Sequence, residues 1–422
     1  MVSPQENALK KSLLAWAATF PHAVYLDGCG TRIDQYGDFE YQIGLAGEGT
    51  PILKTWEDLK GALADDPAWW FGALTYDLKN ALEPQLRTQQ PAAIPFPEAY
   101  FFKAETVVAK RKGAEQIEVL LGQLGQAYET MILPTAQVHL QSPFSSNFTR
   151  EDYIRTIQQL RQHIKDGDCY EINLAQNYTA EATVDHPAAL WRRLTEVSPT
   201  PFATYARFGD THVLCASPER FLQYREGTLT TQPIKGTSRR SRRKSEDKEL
   251  ARTLRESIKE QAENVMIVDL SRHDLHRCST VGGVTVPEPF EVQSFAKVHH
   301  LVSTIQAQAR PDLTTPEAIE KIFPPGSMTG APKFRTCQLI DQYEPAARGI
   351  YAGSIGYFTP DGGFDFNVVI RSLIYDHALQ RLSYHVGGAI TWDSDPEAEY
   401  EETLVKAAAI REVLAAAPAP VD

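Results

Sequence analysis

The feature that most constrains the fold is a series of apolar, strand-like segments whose connecting turns leave little room for crossover helices. Strands are predicted at 169–184, 212–217, 298–309, 350–358, 364–375 and 381–390. The turn from Pro360 to Gly363 is one of several short connections, and such turns favour antiparallel hairpins over parallel βαβ units. Helices are predicted to interleave at 246–272, 315–323 and 395–416. An antiparallel sheet covered by long helices is therefore expected.

A composition change at residues 141–149, QSPFSSNFT, predicts the edge between two regions, 1–148 and 149–422. Thr149 and Asp152 then form a helix-capping pattern, and Gly167 ends the apolar stripe that follows. A chain of 422 residues has room for two or three domains, although large α+β architectures also occur as one unit. We expect the two regions to form one intertwined globular unit.

Composition excludes several classes of protein. The net charge of −12 argues against a nucleic-acid-binding surface, and no apolar run approaches the roughly 20 residues that span a bilayer. The five cysteines form no CxxC pair, which argues against a disulfide framework and a zinc site. Nucleotide-binding and serine-hydrolase motifs are absent from the sequence. With no signal-peptide pattern, a cytoplasmic location is expected.

The run PIKGT places the primary amine of Lys235 in a turn beside Gly236. A lysine with apolar or cationic neighbours can lose its proton near neutral pH and act as a nucleophile. The alternative is an ordinary solvated loop lysine. The residues around Lys235 determine whether it is a nucleophile or a solvated loop lysine.

Two predicted helices each carry a pair of glutamates three residues apart, and each pair therefore lies on one helix face. The pairs are Glu260 with Glu263 and Glu399 with Glu402. If the two faces meet, Mg²⁺ is the cation that fits best, because it prefers carboxylate oxygens and keeps several waters. The alternative is that these are ordinary glutamates of exposed helices.

Three further segments are candidates for binding an anion. The turn 323–333, FPPGSMTGAPK, offers backbone N–H groups together with Ser327, Thr329 and Lys333. Arg371 in the predicted strand 364–375 either pairs internally or points into a cleft, where it can hold a carboxylate. In the pair His299 and His300, one residue is expected in the core and the other in a site.

In this order, the runs GDCYEINLAQ, SPERF, PIKGT, AENVMIVDLSRHDL, VHHLVSTI, PGSMTGAPK, YAGSIGY and GGAITWDSDPEAEYEETLVKA resemble the chorismate-utilising enzymes. The resemblance is closest to the first component of aminodeoxychorismate synthases and is strong over about 149–412. The N-terminal part matches more loosely, through WFGALTYDL and YLDG. The resemblance implies an α+β fold with two large antiparallel sheets packed orthogonally in a sandwich and helices outside.

The resemblance also implies roles for individual residues. Lys235 matches a covalent nucleophile that attacks C2 of chorismate with loss of the C4 hydroxyl, before ammonia enters at C4 to give 4-amino-4-deoxychorismate. Glu219 matches the general acid/base, and His300 a histidine near the leaving hydroxyl. Glu263 and Glu402 match Mg²⁺ ligands, with Glu260 and Glu399 in a supporting or water-mediated role. The substrate-binding set comprises Ser327, Thr329, Tyr351, Arg371, Gly387, Gly388 and Lys406.

Two positions refine this interpretation. Isochorismate and salicylate synthases carry a water-activating lysine at the position of Glu171, where aminodeoxychorismate synthases usually carry glutamine. Glu171 therefore disfavours water chemistry, and its own role stays open. The N-terminal tryptophan pocket of anthranilate synthases expects an LLES-like run where this chain reads YLDG at 25–28, which argues against feedback inhibition by tryptophan.

The expected partner is a glutamine amidotransferase subunit that supplies ammonia, because the sequence shows no glutaminase motif. The expected product leads to 4-aminobenzoate and folate. One alternative is the first component of anthranilate synthase, which aminates C2 with loss of pyruvate and carries alanine at the position of Lys235. The other is a catalytically silent chorismate-binding subunit. The intact set Lys235, Glu219, Glu263 and Glu402 argues against silence.

Overall fold

The computed structural model describes residues 3–31 and 33–415. Helices are interspersed among runs of consecutive strands. The helices are α1 Pro4–Ala17, α2 Trp56–Asp65, α3 Lys79–Leu82, α4 Arg150–Lys165, α5 Pro187–Val197, α6 Lys244–Glu256, α7 Ile258–His276, α8 Thr315–Ile322, α9 Lys333–Tyr343, α10 Pro396–Lys406 and α11 Ala408–Ala415. Short 3-10 turns occur at Tyr76–Leu78, Gln126–Thr130 and Gly326–Met328. Within the described ranges, no helix is both long and apolar enough to cross a membrane.

The strands fall into two sets on either side of residue 148. Before it lie β1 His22–Asp27, β2 Phe39–Ala46, β3 Ile52–Leu53, β4 Trp70–Leu74, β5 Ala99–Lys103, β6 Thr106–Arg111, β7 Glu118–Leu121, β8 Val138–Leu140 and β9 Ser145–Ser146. After it lie β10 Glu171–Val184, β11 Phe202–Phe208, β12 Thr211–Ser217, β13 Arg220–Arg225, β14 Thr228–Gln232, β15 Ile234–Arg239, β16 Ser279–Ser294, β17 Val298–Ala309, β18 Gly330–Ala331, β19 Ser354–Phe358, β20 Phe364–Asn367, β21 Ser372–Asp376 and β22 Arg381–Ile390.

These strands form two large antiparallel sheets, as expected. The first has twelve strands in the order β18-β10-β22-β21-β12-β11-β1-β2-β6-β7, with β8 and β9 also paired to β10. The second has ten strands in the order β15-β17-β14-β13-β20-β19-β4-β5-β3, with β16 also paired to β17. Ranges 1–148 and 149–422 both contribute strands to both sheets, through pairs such as β1 with β11 and β4 with β19.

The sheets pack face to face, and helices cover their outer faces. Alternation along β1 separates the layers, because Val24 joins the core between the sheets while Ala23 and Tyr25 face the helices. The core between the sheets is close-packed at Gly44, where an added Cβ would lie 2.3 Å from the ring of Phe71. A side chain at position 44 would therefore force the two sheets apart locally.

The structure corrects the predicted bounds at four places. The helix predicted at 246–272 is two helices that meet at Ser257, whose hydroxyl caps the start of α7, and the helix predicted at 395–416 is divided at Ala407. The strand predicted at 350–358 begins only at Ser354. The strand predicted at 364–375 is two strands, β20 in the ten-stranded sheet and β21 in the twelve-stranded sheet. Residues 358, 364, 366, 368, 369, 373 and 374 are all buried hydrophobics, so periodicity alone could not reveal that the chain changes sheets between them.

Arg220 on β13 ties the N-terminal region to the ten-stranded sheet. Its guanidinium is 1% exposed and pairs with Asp34 in the loop before β2 and with Asp365 on β20, each at 2.9 Å. Gln232 on the neighbouring strand accepts a further hydrogen bond at 2.6 Å. Because the cation is fully buried, the carboxylates compensate a charge that water cannot reach.

We expect Arg220→Ala to lower the free energy of unfolding by about 3–5 kcal/mol, because two largely buried carboxylates would lose a fully buried cation and, in the described ranges, only Asp34 would keep another cationic partner, Lys112. Arg225→Ala is the matched control on the same strand. Arg225 pairs with Asp38 but its side chain is 47% exposed, so the loss should stay within about 1 kcal/mol. Denaturant unfolding of both variants measures the difference. Equal losses would show that the buried network does not stabilise the fold as described.

Candidate active site

A cavity of about 190 Å³ lies where both sheets meet helices α7 and α10. Strands β10 and β22 of the twelve-stranded sheet and strands β15 and β17 of the ten-stranded sheet contribute to its wall. Twelve of the residues predicted from the sequence line it, namely Glu219, Lys235, Glu260, Glu263, His300, Ser327, Tyr351, Arg371, Gly387, Glu399, Glu402 and Lys406. The structure thus brings together side chains that are up to 187 positions apart, as Glu219 and Lys406 are.

Lys235 is buried at this cavity on β15, where the pairing with β17 shifts between Lys235 and Thr237. The shift occurs at Gly236, whose φ of +80° lies in a region that glycine adopts readily and other residues rarely do. The ammonium of Lys235 donates to Glu171 Oε1 on β10, in the other sheet. Burial alone would lower the pKa of Lys235, but the carboxylates of Glu171, Glu263 and Glu219 together raise it above its usual value. The structure therefore places carboxylates around this lysine, where the sequence had suggested apolar or cationic neighbours as one possibility.

Glu219 is a buried carboxyl group at the wall of the cavity. It follows β12, is 4% exposed, and accepts a 2.5 Å hydrogen bond at Oε1 from the hydroxyl of Ser327. Burial raises the pKa of Glu219 to about 7, and the Ser327 hydrogen bond and nearby Lys235 offset only part of that rise. A carboxyl group that titrates near neutral pH can both give and take a proton there.

His300 and Arg371 form a hydrogen-bonded pair at the wall of the cavity. Arg371 Nη2 lies 2.7 Å from His300 Nε2, and since a guanidinium only donates, that nitrogen accepts and the ring proton is on Nδ1. Nδ1 faces the carbonyl oxygen of Gly236 at 3.3 Å. Burial and the adjacent guanidinium hold the pKa of His300 well below its usual value, so the ring is neutral and orients the arginine.

Arg371 lies outside any strand, which corrects its predicted position in the strand 364–375. It ends the segment in which the chain changes sheets, and its φ of +53° is in the left-handed region that non-glycine residues rarely adopt. Within the described ranges, its guanidinium forms no ion pair with a carboxylate. Burial lowers the pKa of Arg371 to about 10, which leaves the side chain cationic at neutral pH and available to an anionic ligand.

Two side chains of the cavity wall, His385 and Asn173, were not predicted from the sequence. His385 stacks on Tyr351 with ring centroids 4.7 Å apart, and burial lowers the pKa of His385 to about 3. The amide of Asn177 donates to Nδ1 of His385, so Nε2 carries the proton, and it is buried with no partner. Oδ1 of Asn173 is likewise buried and unpartnered. Buried polar atoms without partners are candidates for contact with a ligand. A single histidine in an alternating strand gives no sequence signal for such a contact.

The two glutamate pairs converge on the cavity from α7 and α10, so the two helix faces meet there. A Cβ built on Gly388 would lie 3.4 Å from Glu399 Oε2 and 3.9 Å from Glu402 Oε1. Burial raises the pKa of Glu263 to about 7 and also raises that of Glu260, where Glu402 adds to the rise. Lys406 has the opposite effect on Glu402, and lowers its pKa through an ion pair of 2.7 Å.

This carboxylate cluster suits a hard cation that keeps water ligands. In the described part of the chain, no three acidic, histidine or cysteine side chains are arranged as a closed coordination site. Magnesium does not need one, because it is usually held by one or two carboxylates together with waters and substrate oxygens. Burial raises the pKa of Glu260 and of Glu263, and a bound cation would oppose that rise by favouring the ionised carboxylates.

Four predicted residues differ from expectation in their position or in their hydrogen-bond partner. Thr329 and Gly388 are absent from the cavity wall; the hydroxyl of Thr329 bonds to the carbonyl of Gly326 within its own turn, and Gly388 lies behind Glu399. Lys333 turns away to Asp274 at 2.6 Å. Lys406 reaches the wall and donates to the carbonyl of Gly387 at 2.9 Å.

Several curated proteins are similar to this chain. An aminodeoxychorismate synthase from Streptomyces griseus is 46% identical over 283 residues, which are 67% of this chain and 39% of that protein. Aminodeoxychorismate synthase component 1 from Escherichia coli K12 is 41% identical over 273 residues, 65% of this chain and 60% of its relative. The chain thus spans less than two thirds of the length of these relatives.

Solved structures show the same architecture. Anthranilate synthase component I from Streptococcus pneumoniae TIGR4 superposes with a TM-score of 0.69 at 29% identity, over 80% of this chain and 79% of its own. The menaquinone-specific isochorismate synthase from Escherichia coli gives a TM-score of 0.77 over 95% of this chain and 91% of its own, but at 20% identity it shows the fold alone. The sequence model that describes chorismate binding enzymes matches residues 22–412. With nearly the whole chain covered, and with the cavity inside the matched range, this protein belongs to the chorismate binding enzyme family.

Proposed function

We propose that this protein aminates chorismate at C4 to 4-amino-4-deoxychorismate. The observation that carries the proposal is the amine of Lys235, which lies at the cavity wall together with the acid Glu219. An enzyme that only binds chorismate needs cationic anchors but no nucleophile. The names of the similar aminodeoxychorismate synthases support the same reaction.

The proposed reaction is two allylic displacements. The neutral amine of Lys235 attacks C2 of the ring, the two ring double bonds shift, and the C4 hydroxyl leaves as water with the proton of Glu219. Ammonia then attacks C4, the double bonds shift back, and the bond from C2 to Lys235 breaks. Glu219 regains its proton from the new ammonium group at C4. The pKa of about 7 at Glu219 suits a group that must give and regain a proton at neutral pH.

We propose that two cavity groups bind carboxylate oxygens of chorismate. Arg371 is a cation without a carboxylate partner in the described ranges, and His300 orients it. His385 Nε2 is a donor with no partner. The hydroxyl of Ser327 is already used by Glu219, so in our proposal it orients the acid.

We propose that Glu263 and Glu402 hold a magnesium ion, with Glu260 and Glu399 supporting them through water. When bound, Mg²⁺ would supply positive charge for the ring carboxylate of the substrate. In this proposal the glutamates would fix the ring carboxylate near Lys235, because they line the same cavity as the lysine.

Ammonia is proposed to come from a glutamine amidotransferase subunit, in keeping with the component 1 name of the bacterial relatives. The product would serve the formation of 4-aminobenzoate and folate. We also propose a cytoplasmic location. The five cysteines are free in the described structure, which agrees with a reducing compartment.

Incubation of the protein with chorismate, Mg²⁺ and ammonium should yield 4-amino-4-deoxychorismate, identified by mass spectrometry and chromatography. We expect both Lys235→Ala and Lys235→Arg to lose this activity, because neither side chain can attack C2. The arginine variant is the matched control for folding, because it keeps a cation beside Glu171. Anthranilate as the product, or no turnover by the wild type, would overturn the proposed function, and full activity of Lys235→Ala would exclude the covalent route.

Magnesium binding is expected to depend on the glutamates that face the cavity. Glu402→Gln should weaken Mg²⁺ binding by at least about tenfold, since a carboxylate ligand is lost. Its neighbour Glu401→Gln is the control, because Glu401 is absent from the cavity wall. Calorimetric titration of Mg²⁺ alone into each protein measures the effect. Equal affinities for the two variants would remove Glu402 from the site.

His385→Ala should lower kcat/KM for chorismate by about 10- to 100-fold, since it removes a hydrogen bond to a charged group. His212→Ala is the matched control, because His212 is an equally buried neutral histidine of the same sheet whose partner is Tyr205. Steady-state kinetics with ammonium as the nitrogen source gives the comparison. An equal loss in both variants would mean that His385 acts only through the fold.

A further inference from the structure

The ion pair between Lys235 and Glu171 poses a chemical problem for any reaction in which Lys235 attacks carbon. An ammonium group has no lone pair, and the adjacent carboxylate keeps the lysine protonated. A nucleophilic amine therefore requires that some group in the cavity accept the proton. The identity of that group goes beyond the proposed function and rests on it.

Several carboxylates surround Lys235. They are Glu171 on β10, Glu219 after β12, Glu260 and Glu263 on α7, and Glu402 on α10. Within the described ranges, Glu171 is the sole carboxylate within 4 Å of the lysine nitrogen. The two glutamates of α7 and the one of α10 belong to the face proposed for the cation.

Glu219 is unsuited to accept the proton of Lys235, because in the proposed reaction it has to donate a proton. It must hold a proton when the C4 hydroxyl leaves, and its Oε1 is engaged by Ser327. In the proposed reaction Glu219 already holds a proton when the displacement begins, so it cannot accept the proton of Lys235 before the attack. It also forms no ion pair with Lys235 in the described ranges, so a different residue is better placed to accept that proton.

Glu171 has the position and the environment for it. The residue is 2% exposed and begins β10, where its pairing with Ala331 of β18 fixes the backbone. Oε1 accepts from Lys235, whereas Oε2 is buried without a partner. A buried carboxylate with one oxygen unsatisfied costs free energy, and protonation reduces that cost.

We infer that Glu171 is the base that takes the proton of Lys235 for the attack and returns it when the lysine is released. In the first displacement the proton moves from Nζ to Glu171, the new bond from Nζ to C2 makes a secondary ammonium, and Glu219 protonates the leaving hydroxyl. In the second, ammonia bonds to C4 and Lys235 leaves as a neutral amine. Glu171 then returns its proton, and the ion pair re-forms.

The first test measures the protonation of Lys235 without substrate, metal or turnover. Cyanate carbamylates the neutral form of an amine, and the rate at Lys235 is followed against pH by peptide mass spectrometry, relative to exposed Lys248. In Glu171→Gln we expect the midpoint for Lys235 to shift to lower pH by about 1–3 units, because burial is no longer opposed by the counter-charge. Glu171→Asp keeps the charge and should stay near the wild type.

Asp27→Asn is the matched control, since Asp27 pairs with the buried Lys10 at 2.7 Å and neither residue lines the cavity. This variant should leave the profile of Lys235 unchanged. Thermal unfolding of each variant verifies that it is folded. An unshifted midpoint for Lys235 in Glu171→Gln would overturn the inference whether or not chorismate is the substrate.

The second test follows the adduct of chorismate on Lys235 by intact-protein mass spectrometry, in the presence of Mg²⁺ and without ammonium. In the wild type the proton moves within the ion pair, so adduct formation should show no rise with pH. In Glu171→Gln the proton of Lys235 must go to solvent. The rate of adduct formation should then rise with pH around the new midpoint of Lys235. Superimposable profiles would refute the role of Glu171, whereas absence of an adduct in the wild type would instead refute the covalent route.

Discussion

A buried ammonium group must have a counter-charge, and this requirement joins the two halves of the site. Lys235 belongs to the ten-stranded sheet and Glu171 to the twelve-stranded sheet, so their ion pair crosses from one sheet to the other. Neither sheet alone could bury its charged residue at acceptable cost. The cavity is therefore lined by a charge pair that spans the two sheets, and this pair contains the amine that we propose as the nucleophile.

The remaining charges of the cavity are of two kinds. Arg371 is a cation hydrogen-bonded to neutral His300, and the glutamates of α7 and α10 form a carboxylate cluster. Under the proposed function, the arginine suits one carboxylate of chorismate, and the cluster, when it holds a cation, suits the other. Lys235 and Glu219 line the same cavity, so a substrate held at two points would be oriented toward both of them.

Much of this arrangement was predictable. Glutamates three residues apart had to share a helix face, and strands with short turns had to pair antiparallel. Other features were not predictable from local pattern. The change of sheets before Arg371 is hidden because residues on both sides are buried, and the ion pair of Lys235 depends on a residue of another strand. His385 was missed because its significance comes from Asn177 and Tyr351, which are distant in sequence.

The interleaving of strands has a consequence for how the protein is made. Strand β1 pairs with β11, and β4 pairs with β19, where Ser354 lies opposite Leu74, 280 positions earlier. Early strands must therefore wait for late partners, and topologies with such distant pairings fold slowly. During synthesis β4 has no β19 to pair with, so one edge of β4 stays exposed until the residues between the two strands have been made. The protein is thus more vulnerable to aggregation while it is being made than after the last strands are in place.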